Sequence, residues 1–257
     1  MPDLKLTLEY DGQDFAGWQS QARAAGARTV QETLQDAIAQ VTGEETVVQG
    51  SGRTDAGVHA EGQVASVHLD SSLAPEVLQR ALCAVLPSDL AVTDIEVAPR
   101  GFHARYDALS KHYRYQIWNA VSRSPLRRYR HHCVARPLDV EAMGKAAIAI
   151  VGRRDFASFE ATGSERQSSV REVTRCDVTG HSGDEIRIDL EADGLLRYMV
   201  RNIAGTLIEV GGGQRAPESL PHLLEARNRA LAGPTAPALG LTLVSVTYAD
   251  SASNPRC

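Results

Sequence analysis

The chain has 257 residues, a hydrophobic fraction of 43% and a formal net charge of −5. That composition is ordinary for a globular protein large enough to bury a core without staples. It lacks the overall basic balance expected of a nucleic-acid binder.

Four cysteines, Cys83, Cys133, Cys176 and Cys257, stand far apart with no CxxC. This argues against a zinc site and a disulfide framework, and fits a reducing compartment. No apolar run reaches the length of a membrane span, and MPDLKL lacks a charged-then-apolar leader pattern. A cytoplasmic protein is the expectation. Charge is also unevenly spread. The stretch RSPLRRYRHH at residues 123–132 holds four arginines and two histidines, a basic loop that is either simply solvated or phosphate-facing.

In chain order, Leu4, Leu6 and Leu8 alternate with Lys5, Thr7 and Glu9, which predicts a half-buried strand leaving through Asp11-Gly12. Phe15 and Trp18 follow in a loop. Thr29 and Glu32 form a capping box for a helix bearing Leu34, Ala37 and Ile38, stopped by Gly43. Thr46, Val47 and Val48 are β-branched and predict a second strand. Residues 50–62, GSGRTDAGVHAEG, then form an irregular excursion with four glycines, and a strand resumes over residues 63–69. A helix is predicted over 75–85, ended by Pro87, and a strand over 90–97. This order, β-α-β-β-α-β, is the split βαβ or ferredoxin-like pattern. Residues 99–110 read as a linker carrying Arg100, His103 and Arg105.

The second half is similar in outline. A strand over 112–118 carries Tyr113, Tyr115 and Ile117, and the basic loop follows. Asp139 caps a helix ending at Gly152. Strands are predicted over 170–179 and 185–191. A helix carries Leu196, Met199, Val200, Ile203, Leu207 and Val210 at helical spacing, with Arg197 and Arg201 on one flank. A further helix over 217–232 and a strand over 241–248 close the chain, and the tail over 251–257 reads as disordered. The fold class is α+β, sandwich-like: two ferredoxin-like or RRM-like halves whose mainly antiparallel sheets lie side by side around a central cleft. The domains are 1–105, with the aspartate loop, and 106–250.

Asp55 is the first candidate for chemistry. In an extended segment Arg53 and Asp55 point to one side, and a nearby guanidinium keeps a carboxylate ionised and nucleophilic. The excursion has no second acid for glycosidase-type chemistry. No P-loop is present, and residues 211–213 follow a helix and are a C-cap, not a dinucleotide fingerprint. No HExxH or Cys/His spacing suggests a metal. His59 reads as structural.

GRTDAGVHA at residues 52–60 resembles the catalytic signature of the tRNA pseudouridine synthase A (TruA) family. So do EYDGQDFAGWQ at 9–19, VQETLQDAI at 30–38, FHARYDA at 102–108 and KHYRYQIWN at 111–119. The resemblance continues in YMVRNIAGTLIEVG at 198–211 and TAPALGLTL at 235–243. It implies a cofactor-independent isomerase converting uridine to pseudouridine at nucleotides 38, 39 and 40 of the tRNA anticodon stem-loop. It implies Asp55 as nucleophile, attacking either the base or C1′, and Arg201 as its partner. Arg53 would help hold the flipped nucleotide. The resemblance singles out Tyr113 as the residue stacked on the uracil, although alternation puts Tyr115 on the same face. It also implies tRNA contacts by Phe102, His103, Ala104, Arg105 and Tyr106. Gly163, Ser164, Glu165, Arg166 and Gln167 would contact tRNA too, although Glu165 beside Arg166 departs from a basic pattern. The family works as a homodimer. Asp55, Tyr113 and Arg201 are then expected in one cleft. Two rival readings are a non-catalytic RNA-binding module with aromatics on a sheet face, and a hydrolase using Asp55 on a small substrate.

Overall fold

A computed structural model describes residues 3–19, 26–163 and 168–249. The expected tail at 251–257 lies outside them. The described residues hold ten strands and five α-helices and fall into two compact units. Those up to residue 109 and from residue 243 onward form one, and those between residues 110 and 242 the other.

The first unit is organised by β1 (Asp3–Tyr10), whose alternation buries Leu4, Leu6, Leu8 and Tyr10. It pairs antiparallel with β3 (His59–His68) on one side and β4 (Leu90–Ala98) on the other. Between β1 and β3 come α1 (Val30–Thr42) and the two-residue β2 (Gln49–Gly50), which pairs with β3. Thr29 caps α1 and engages Glu32 as predicted, its Oγ1 accepting from the Glu32 N–H at 3.2 Å and donating to the Glu32 carboxylate at 2.8 Å, a cap that stabilises by about 1 kcal/mol. Gly43 closes α1 in the left-handed region at φ 77°, where a side chain would be strained. The second helix, α2 (Pro75–Val85), starts on Pro75 and buries Leu78 and Leu82. The final strand, β10 (Leu241–Tyr248), runs beside β3 and contributes residues 243–248 to this unit.

In the second unit, β5 (Ala108–Trp118), β9 (Glu185–Ala192), β8 (Val170–Gly180) and β7 (Gly152–Asp155) follow one another as antiparallel neighbours. A short β6 (His132–Cys133) pairs parallel with β5. Two helices, α3 (Val140–Ile148) and α4 (Met199–Gly211), pack together, and α5 (Leu220–Ala226) follows. In α4 nearly every residue is buried, Asn202 and Thr206 included.

Five expectations are corrected. Residues 46–48 are not strand; the chain becomes β only at Gln49, because Val47 is exposed and only Val48 packs inward. The expected linker at 99–110 already contains the start of β5. Helix α3 ends at Ile148, and Gly152, at φ 105°, instead opens β7. The helix carrying Arg201 begins at Met199, after Tyr198 turns left-handed at φ 64°, so Leu196 and Arg197 precede it and the Arg197–Arg201 flank is not helical. The helix expected over 217–232 is broken at Arg227, also left-handed at φ 48°, with 3-10 turns on either side of α5.

Candidate functional site

The loop from β2 to β3 carries Asp55 half-buried and Arg53 exposed. Its conformation is imposed by the segment after β1. The Thr54 carbonyl accepts from Trp18 N–H at 3.0 Å, and the Gly57 N–H donates to the Phe15 carbonyl. Two glycines make this approach possible. A Cβ on Gly12 would lie 2.0 Å from the Val58 oxygen, and one on Gly17, at φ 101°, would lie 2.6 Å from the Thr54 oxygen. Only glycine leaves room there. Gly50 meets the Trp18 ring in the same way, so Trp18 is a wall of the loop. The DG and AGW of the first segment are therefore the mould for GRTDAGV.

Beneath the loop lies a buried polar knot. The Tyr10 hydroxyl and Thr54 Oγ1 are 2.9 Å apart. Gln63, fully buried, accepts from Ser51 Oγ at 2.6 Å and donates to the Gly52 carbonyl at 3.0 Å. Burial, opposed by hydrogen bonds from Thr54 and Gln63, pushes the Tyr10 hydroxyl up to about 12, so it stays protonated. Residues 51, 52 and 54, just ahead of Asp55, are thus tied to β1 and β3. His59 is buried, and its Nδ1 accepts from the Gly12 N–H at 3.1 Å with Asp11 Oδ1 also 3.1 Å away. It pins the mould to the end of the loop.

In the second unit Arg201 occupies the first turn of α4. Its Nε donates to the Ala236 carbonyl at 2.8 Å, while its own carbonyl accepts from the Ala236 N–H at 3.1 Å. Its guanidinium and that of Arg197 each lie 4.9 Å from the Tyr198 ring centre. The next residue, Asn202, ties the surrounding backbone together: Nδ2 donates to the Phe159 carbonyl at 2.7 Å, and Oδ1 accepts from Thr235 Oγ1 and Arg229. A Cβ on Gly205 would fall 1.8 Å from the Pro234 oxygen. Segment 233–237 therefore rides directly on α4 and fixes Arg201 at side chain and backbone together.

Tyr113 and Tyr115 differ in surroundings. Tyr115 is fully buried, and its hydroxyl donates to the Pro237 carbonyl at 3.0 Å. Burial pushes that hydroxyl far above its usual range, with the Arg201 charge opposing. Tyr113 is 7% exposed and pairs with Leu190 across the sheet.

The segment from Phe102 to Tyr106 is a compact turn. Ala104 anchors it, donating to Ser66 Oγ at 3.1 Å and accepting from the Tyr248 hydroxyl at 2.6 Å. Phe102 packs edge-on against Tyr248, with ring centres 5.2 Å apart. His103 lies against Tyr106, and Arg105 and Tyr106 are exposed. Gly163 takes φ 80°; Ser164, Glu165, Arg166 and Gln167 lie outside the described residues. Within each unit, then, Arg53 and Asp55 share one loop, while Tyr115 and Arg201 share the 236–237 carbonyls. Tyr10, Thr54, Gln63, Tyr115 and Asn202 were not expected as site supports. The available signal was a polar residue at an inward strand or helix position, as at Gln63 and Asn202.

A family model described as tRNA pseudouridine synthase matches residues 7–107 and 146–249. A tRNA pseudouridine synthase A of Moorella thermoacetica is 48% identical over 252 residues, covering 96% of this chain and 100% of that protein. One of Geotalea uraniireducens is 43% identical over 248 residues, with 96% and 100% covered. One of Myxococcus xanthus is 42% identical over 250 residues, with 97% and 93% covered. With a family model spanning both units and relatives this similar from end to end, the chain belongs to the tRNA pseudouridine synthase A family.

Proposed function

We propose that this protein isomerises uridine to pseudouridine in tRNA, acting at nucleotides 38, 39 and 40 of the anticodon stem-loop, with Asp55 as nucleophile. The observation that carries the proposal is the Asp55 loop, moulded against Gly12 and Gly17 and tied below by Tyr10, Thr54 and Gln63. A carboxylate on a pre-set backbone loses little freedom when it attacks. The N1–C1′ bond breaks, a C5–C1′ bond forms, and the C5 proton is lost as N1 regains one, so no redox partner is needed. In this reading the uridine is flipped out of its stack, which costs a few kcal/mol. Arg53 helps hold the displaced nucleotide, Tyr113 stacks on the uracil, and Arg201 partners Asp55. The engagement of the Tyr115 hydroxyl by Pro237 supports Tyr113 over Tyr115 for the stacking role. Arg105 and Tyr106 are exposed and suited to meet RNA, with Phe102, His103 and Ala104 holding their turn. Gly163 and the four residues after it are proposed as a second RNA contact. A homodimer working in the cytoplasm completes the proposal.

The test is tritium release from tRNA transcript labelled at uracil C5. The wild type is expected to release tritium. Asp55→Ala is expected to release none while still binding tRNA. A folded wild type that binds tRNA and releases nothing would overturn the isomerase reading and favour a binding module.

A further inference from the structure

The second unit carries a feature that this chemistry leaves unused. Between β5 and β6 the chain places Arg123, Arg127, Arg128 and Arg130 within eight residues. Three of them, Arg123, Arg127 and Arg128, line a cleft of about 310 Å³ together with Trp118, His131 and His132, among others. Four like charges this close repel one another, and an acidic protein has carboxylates enough to neutralise them. Yet among the described residues none of the four pairs with a carboxylate.

Two of them are held in another way. The Arg127 guanidinium lies 4.3 Å from the Trp118 ring centre, and that of Arg128 lies 4.0 Å from Tyr129. Stacking on an aromatic face fixes a guanidinium plane while leaving N–H donors at its edge. The backbone fixes the loop as well: Arg127 N–H donates to Ser124, Arg130 and His131 N–H donate to the Arg127 carbonyl, and Arg128 Nη1 donates to Pro125. The Trp118 Nε1 donates to the Ser122 carbonyl at 2.9 Å.

In the same cleft, His131 Nδ1 and His132 Nδ1 are buried without a hydrogen-bond partner. A buried polar atom with no partner costs free energy. Burial holds both imidazoles below their usual pKa, so at neutral pH they line the cleft without adding charge. Glu185, 3.3 Å from His131 Nε2, is the nearby acid. Its charge is already engaged by Arg187 and Gln116. The cleft thus offers a surplus of oriented donors and an aromatic wall, the complement of a phosphodiester beside an unstacked base.

We propose that this cleft binds the sugar-phosphate backbone of RNA, and so gives the substrate an anchor besides the aspartate loop. That the RNA is tRNA rests on the isomerase reading above. The anchor adds affinity and its salt dependence, and no step of the bond exchange.

The experiment compares wild type with Arg127→Gln/Arg128→Gln in full-length tRNA binding between 50 and 200 mM salt, roughly the range over which phosphate contacts are read. Single-turnover tritium release at saturating tRNA is measured alongside. The variant is expected to bind about tenfold more weakly, with a log–log salt slope shallower by about one to two and an unchanged saturated rate. Arg123→Gln, an exposed site outside the stacks, is expected to make the slope shallower by about 0.9, the value for one lost phosphate contact, and it serves if the double variant fails to fold. Unchanged affinity and slope in the folded variants would overturn the proposal. If the wild type binds tRNA but releases no tritium while the variants still lose affinity, the isomerase reading fails and the RNA cleft stands.

Discussion

The Asp55 loop and the arginine loop are both irregular excursions between strands, yet they are held in opposite ways. The first is gripped from outside. Backbone from another segment closes on it through glycines, and buried hydroxyl and amide groups tie its backbone from below. The second is held by its own turns and by rings under two of its guanidiniums. In the first, the position of one side chain is specified and the surroundings are over-determined. In the second, charge is gathered and left without a carboxylate partner. A nucleophile needs the former, since a small displacement is expensive in rate. A backbone anchor needs the latter, since phosphate contacts tolerate some motion.

The sharpest break in that comparison is steric. Gly12→Ala and Gly17→Ala force a Cβ into the Val58 or Thr54 oxygen, and Gly17 must also hold a positive φ. Each is expected to cost roughly 2–4 kcal/mol, at or above the range for overpacked sites. Each is also expected to slow tritium release at least about tenfold at saturating tRNA, by shifting the loop. Gly144→Ala in α3, where a Cβ meets nothing within 4 Å, is the control, expected to be neutral or stabilising by about 0.5–1 kcal/mol. Equal melting temperatures and rates for Gly12→Ala and the control would show that the mould is unnecessary.

Hydroxyl deletions sharpen the comparison at a smaller scale. Tyr115→Phe leaves the Pro237 carbonyl without its donor in a fully buried place and is expected to lower stability by about 1–2 kcal/mol. Tyr10→Phe and Thr54→Val, analysed as a double-mutant cycle in denaturant, are expected to couple by about 1 kcal/mol through their 2.9 Å contact. A coupling near zero would mean that the knot beneath Asp55 does not act as a unit.

Much of the fold was readable because it rests on local rules. The alternation of Leu4, Leu6 and Leu8, the Thr29 cap, Pro75 at the start of α2 and the Asp139 cap each state their element within a few residues. The errors arose where tertiary contacts overrule such rules. Thr46, Val47 and Val48 have strand propensity, but Val47 has no surface to bury against. Tyr198 and Arg227 adopt left-handed backbone that favours glycine, so no breaker residue marked the start of α4 or the end of α5. Asp189 alternates with Ile188 and Leu190 along β9, a position that local alternation turns toward solvent, yet it is buried. Burial pushes its carboxyl up, but His112 and Arg114 outweigh this and hold it below its usual range. The aspartate loop was legible as a motif, whereas its mould was not. Nothing in DGQDFAGW says which distant backbone its glycines must admit.

The smallest expected effect tests whether the arginine cleft is tuned for a ligand rather than for stability. Burial alone lowers the His132 pKa from 6.5, so between pH 6.5 and the lower folded value the unfolded chain binds more protons than the folded one. Stability must then rise with pH across that window and fall as pH drops through it. His132→Phe removes the titration and the orphaned Nδ1 while keeping a ring near Tyr115. Its stability in urea is expected to match or exceed that of wild type at pH 7.5, and to gain on it steadily below pH 6.5. Glu185 behaves differently. Held to about 2, chiefly by Arg187 against the pull of burial, it contributes stability above about pH 4.5 that is lost only as pH falls toward 2. The two groups therefore separate cleanly between pH 5 and 6.5. A His132→Phe variant less stable than wild type across that interval would mean that the imidazole is a structural partner, and that its buried nitrogen is not waiting for one.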